Sequence, residues 1–200
     1  MLSLQIGFFI FATFCQSWIS AEAAEAKIHS KEDTEKKLGE INEFLKKEPG
    51  NIRALESKVA TLQLLGRLQE GLQVCDEALK TNSERGYLWY FKGFCKFKED
   101  KWKESYSYFQ KSYDCGFIES LDFLPACLVQ MKRYHECIQF STKAIQRHPE
   151  VAALYYSRGY ARKYLKHSKD MVCADFKKAA DLAPRFKNNY EKNCLEEPEN

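Results

Sequence analysis

Cysteine and histidine are the residue types in this sequence most able to do chemistry, and their spacing limits what that chemistry can be. The chain holds eight cysteines and four histidines. A structural zinc site needs about four convergent ligands, commonly built from C-x-x-C pairs. No C-x-x-C pair occurs, so His135 beside Cys127 and Cys137 does not make a ligand set. His29, His148 and His167, like His135, fall at expected helix ends or exposed helix faces, where a solvated role is the natural one. There is no Gly-rich phosphate loop, no G-x-S-x-G and no H-E-x-x-H. The pattern predicts no enzyme, no metal site and no cofactor. Disulfide chemistry is what remains for the thiols, and that depends on where the chain resides.

The first twenty residues bear on that question. Met1 to Ser20 contain no charged side chain, and Ile6 to Phe14 is almost wholly apolar. Alanines at 21, 23, 24 and 26 then offer small-residue cleavage patterns. This reads as a secretory signal over residues 1–23 and predicts an exported protein, secreted or in a periplasm or cell envelope. The missing Lys or Arg at the extreme N-terminus keeps an uncleaved anchor over residues 2–20 open as the alternative. Lipidation at Cys15 is a third route, disfavoured by the bulky Phe14 before it. Over the whole chain the composition is globular, with 44% hydrophobic and 30% charged residues. A net charge of +3 supplies no general attraction to nucleic acid, and membrane contact is expected only through the N-terminal segment.

The elements that would position any site come from a repeat. Gly66, Leu68, Gly71, Cys75 and Ala78 return as Asp100, Trp102, Ser105, Phe109 and Ser112. They return again as Lys132, Tyr134, Cys137, Ser141 and Ala144, and again as His167, Lys169, Val172, Phe176 and Ala179. Read from the last member of each set, the offsets are 34, 32 and 35 residues. Terminators keep the same beat at Pro49, Ser83, Phe117, Pro149 and Pro184. Trp89 with Gly93 and Tyr155 with Gly159 put an aromatic residue and a glycine on one face of a preceding helix. Leu55 with Val59 and Leu121 with Pro125 are weaker equivalents. A small residue on one helix lets its partner approach, and Gly71, Ser105 and Cys137 answer it there.

A period near 34 with these positions resembles the tetratricopeptide repeat (TPR) family over about residues 51–184. The fold implied is all-α, a right-handed α-solenoid of about four TPR helix pairs with capping helices at both ends. The repeats are placed at 51–84, 85–118, 119–150 and 151–184. A capping helix or half-repeat over 24–50 starts at a Ser30 cap and ends at Pro49. A last helix and tail occupy 185–200, with Phe186, Tyr190 and Leu195 as its covering face. Pro125 should kink or delay the first helix of the third repeat. The fourth repeat carries one extra residue around Lys163 to His167. The last repeat also resembles those of exported, cell-envelope members. In this frame Cys75 and Cys137 serve as small hydrophobes. Cys173 and Cys194 are the candidate bridge, stapling the last helix to the array. Seven cysteines follow the signal, so at least one thiol stays single or pairs with another chain.

What the resemblance implies for function is a scaffold or adaptor that holds a protein or peptide ligand on a concave face lined by first helices. Mapped here, that face carries Tyr87, Tyr90, Phe94 and Phe97 in the second repeat. In the fourth it carries Tyr156, Tyr160 and Lys163, with Arg158 and Arg162 nearby. The same stripe is also readable as inter-helix core. The carboxylate clamp of cytosolic co-chaperones is missing, since Glu56, Ala60 and Phe91 stand at its positions. The alternative is a structural assembly factor or homo-oligomer, associating through an array end or a single cysteine.

Overall fold

The computed structural model describes residues 31–195. The expected signal segment, the expected Ser30 cap and the last five residues lie outside the described residues. Among those described, every regular element is helical, and no helix is long and apolar enough to cross a membrane. They divide after Gly71 into two compact units.

The first unit holds α1 (Lys31–Lys47), α2 (Ile52–Leu64) and the start of α3 (Leu68–Thr81). Glu48, Pro49 and Gly50 end α1, and Asn51 caps α2 by accepting from the Ala54 amide at 3.1 Å. α1 packs on α2, with Leu38, Val59 and Leu62 buried. Arg67, in the turn into α3, pairs with Glu70 at 2.6 Å and Glu35 at 3.3 Å.

The second unit continues α3 and adds α4 (Gly86–Lys98), α5 (Trp102–Asp114), a 3-10 turn (Ile118–Asp122), α6 (Leu124–Gln130), α7 (Tyr134–Ile145), α8 (Ala152–Tyr164) and α9 (Lys169–Leu182). It closes with a 3-10 turn (Pro184–Phe186), α10 (Lys187–Tyr190) and a π turn (Glu191–Leu195). α4 pairs with α5, α6 with α7, and α8 with α9, and each pair packs on the next. Pro125 stands in the first turn of α6, where its missing N–H costs nothing, and the preceding chain takes a 3-10 turn instead. The first helix of this pair is therefore split.

Each turn inside a pair hinges on one residue in the left-handed region: Gly66 (φ 75°), Asp100 (58°), Lys132 (59°) and Lys166 (57°). The second helix starts two residues later at Leu68, Trp102 and Tyr134, but three later at Lys169. The extra residue of the fourth repeat is thus in the turn between Lys166 and Lys169. Close approach at the pair centres has a physical cause. Ser105 Oγ donates to the Gly93 carbonyl at 2.9 Å, and the Phe109 ring lies flush on Gly93. The C-terminal stretch departs from a single capping helix. Phe186 is fully buried, but Leu195 keeps 62% of its surface exposed and covers nothing.

Candidate interaction face

The aromatic stripe of α4 resolves residue by residue. Phe97 stands in the pair core, 4.9 Å from the Trp102 ring and 5.2 Å from Phe123. Tyr90 meets Phe109, Phe117 and Phe123 at 5.6, 5.1 and 5.7 Å. Phe94 meets Phe123 at 6.3 Å. Tyr87 is half-buried, stacked on Tyr90 at 6.4 Å and edge-on to Phe117 at 5.8 Å.

On α8, Tyr156 stacks on Phe186 at 4.8 Å and leans on Phe176 at 5.6 Å. Tyr160 meets Tyr164, which itself stacks on Tyr134 at 4.8 Å. Burial raises the pKa of both Tyr156 and Tyr160, and the Tyr164 hydroxyl adds to the effect on Tyr160. Lys163 is exposed and donates to Asn193 Oδ1 at 2.5 Å. Desolvation, with Lys192 nearby, lowers its pKa.

The stripe is readable as a concave lining or as inter-helix core, and five of its positions are buried. Tyr90, Phe94, Phe97, Tyr156 and Tyr160 keep at most 9% of their surface exposed. The reason is that successive pairs approach closely enough for rings to pack on rings. The basic end of the stripe is corrected. Arg158 and Arg162 turn onto Asp175 of α9, both at 2.7 Å, and Arg158 also donates to Thr142 Oγ1 at 3.2 Å. His148 is half-buried, with Nε2 at 3.2 Å from Tyr113 Oη, rather than solvated.

Among the described residues, no group of three or more His, Cys, Asp or Glu is placed to hold a metal. Cys127 and Cys137 are buried, their thiols pushed up to about 12 by desolvation. Cys127 donates to Ser105 Oγ at 3.5 Å and Cys137 to the Ser157 carbonyl at 3.5 Å, so both act as packed, weakly polar fillers. Cys173 and Cys194 form a disulfide, with Cα atoms 5.7 Å apart.

No family model and no curated protein matches the sequence. Solved structures do match. The crystal structure of MamA superposes with a TM-score of 0.66 at 18% identity, over 81% of this chain and 95% of that one. MamA 41-end from Desulfovibrio magneticus RS-1 gives 0.64 at 17% identity, over 82% and 94%. YrrB, described as a TPR protein with an unusual peptide-binding site, gives 0.61 at 15% identity, over 78% and 87%. The chain has the tetratricopeptide-repeat fold.

In TPR register the ring positions form rows. Tyr90, Asp122 and Tyr156 are equivalent first-helix positions of three successive repeats, and Phe94, Ala126 and Tyr160 form the next row. The middle member of the first row is polar: Asp122 accepts from Arg185 at 3.3 Å, while burial raises its pKa against the lowering effect of that guanidinium. The Asp122 to Arg185 pair is one that sequence reasoning missed. The partners are 63 residues apart, and neither stands in a motif.

Proposed function

We propose that the chain is an interaction scaffold rather than an enzyme, holding a peptide or helical segment along the first-helix rows of α4, the 118–130 stretch and α8. One observation carries this reading: TPR register sets Tyr90 level with Tyr156 and Phe94 level with Tyr160, two repeats apart. Aromatics at the same register positions two repeats apart give a partner equivalent contacts on either side of Asp122 and Ala126. The buried rings form the floor, while half-buried Tyr87 and exposed Lys163 stand at its margins. The peptide-binding site of the structurally similar YrrB supports the reading.

The test places a photo-crosslinking residue at Tyr87 and at Lys163 in the full chain. Lys103 and Lys177, exposed on second helices, serve as controls. Capture of one common segment from the first two positions and not from the controls is the expected result. Equal capture from all four positions would sink the first-helix assignment.

We also infer that the protein is exported. Support comes from the charge-free N-terminal stretch and from the Cys173–Cys194 bond, since structural disulfides persist in oxidising compartments. The mass of the mature chain tests this: retention of residues 1–23 in a cytosolic fraction refutes it.

A further inference from the structure

The C-terminal stretch 184–195 is built unlike the rest of the array. Its elements are three, four and five residues long, too short to support themselves as helix. It is held from outside at several points. Phe186 is fully buried on the Tyr156 ring. Asn189 Oδ1 accepts from Tyr156 Oη at 3.4 Å, and Asn193 Oδ1 accepts from Lys163 Nζ. Arg185 reaches back to Asp122, 63 residues earlier. The covalent tie is Cys194 to Cys173, closing a separation of 21 residues.

We propose that residues 184–195 are a strap whose closure over the last TPR is set by the redox state of Cys173 and Cys194. The argument is one of balance. Apart from Phe186 and the packing of α10 on α9, the strap's ties to the array are hydrogen bonds and one ion pair that keeps part of its surface in water, which water largely replaces on release. The bond removes that freedom by tying the C-terminal end of the segment to α9.

The chemistry balances with a dithiol reductant. Its thiolate attacks one sulfur of the bridge, the S–S bond breaks, and a mixed disulfide forms. The second reductant thiol displaces the protein sulfur. Two protein thiols and the oxidised dithiol result, with two electrons and two protons transferred to the protein. Three of the other cysteines are poor partners for exchange. Cys95, Cys127 and Cys137 are buried with thiols pushed up to about 12, and thiols of that kind supply almost no attacking thiolate. Opening removes the strap's contacts from Asp122, Tyr156 and Lys163 together while leaving the helix pairs in place. This goes beyond the scaffold reading and does not depend on any partner.

The test is hydrogen exchange read by mass spectrometry on the full chain, with and without dithiothreitol, after intact mass shows that both thiols have formed. Protection over 184–195 should fall about tenfold or more while α4, α5 and α7 keep theirs, with recovery on reoxidation. Cys173→Ser and Cys194→Ser should each reproduce the open state without reductant. Unchanged protection in the reduced chain overturns the strap. Loss of protection across the whole unit also overturns it, because the bond would then be a global staple.

Discussion

The Phe109 ring occupies the space a side chain on Gly93 would need: a Cβ there would stand 2.8 Å from its Cδ1. Phe109 is fully buried and cannot swing aside. Gly93→Ala therefore sets two effects against each other. Helix propensity gains about 1 kcal/mol, while overpacking costs about 1–3 kcal/mol. The net expectation is a loss of about 1 kcal/mol, read as a lower urea midpoint at unchanged slope. A midpoint at or above wild type would show that α4 and α5 can separate without penalty.

Lys132 tests the turn geometry in the opposite direction. Its φ of 59° puts a side chain in the left-handed region, where Gly66 stands at the equivalent place in the first repeat. A left-handed conformation costs a non-glycine residue about 1 kcal/mol. Lys132→Gly should remove that strain and raise stability by about 0.5 kcal/mol after the extra unfolded-state entropy is counted. Thermal melting checks the sign, and a lower Tm refutes the strain.

The repeat was legible in the sequence because it is written in side-chain size. Gly71, Ser105 and Cys137 recur where helices meet, and size periodicity survives translation into letters. The left-handed turns were not legible, because Asp100, Lys132 and Lys166 share no side-chain property that signals positive φ. Which residues of α4 face outward was not legible for a third reason. Leu88, Phe91 and Cys95 are buried, and so are Tyr90, Phe94 and Phe97. α4 is buried over most of its circumference, and the narrow half-exposed stripe of Trp89, Lys92 and Lys96 is a weak guide to direction. Arg158 and Arg162 misled likewise, since the carboxylate that turns them lies on the next helix.

That carboxylate supplies the largest expected loss. Asp175 is 3% exposed and accepts from Arg158 Nη2 and Arg162 Nη1, both at 2.7 Å. Removing it leaves two largely buried guanidiniums without their counter-charge. Asp175→Ala should cost about 3–5 kcal/mol. Asp175→Asn keeps the shape but not the charge and should fall between. Arg162→Met together with Asp175→Ala should recover part of the loss, because one stranded charge goes as well. If the single variant costs no more than an exposed pair, the network is not what joins α8 to α9.

Tyr156 and Tyr160 set the alkaline limit of the second unit. Both hydroxyls are buried, and both have pKa values raised in the folded chain above the ordinary value near 10. The folded state then holds those protons more tightly than the unfolded state does. The contribution is fully present below about pH 10 and is lost as pH rises above it. Tyrosinate absorbance should therefore show Tyr156 and Tyr160 ionising only alongside the loss of helicity. Tyr156→Phe removes one of the two groups and should shift unfolding to higher pH. Ionisation of all tyrosines in one step ahead of unfolding would show that these rings are open to water, and the aromatic floor of the interaction face would then be an accessible lining instead.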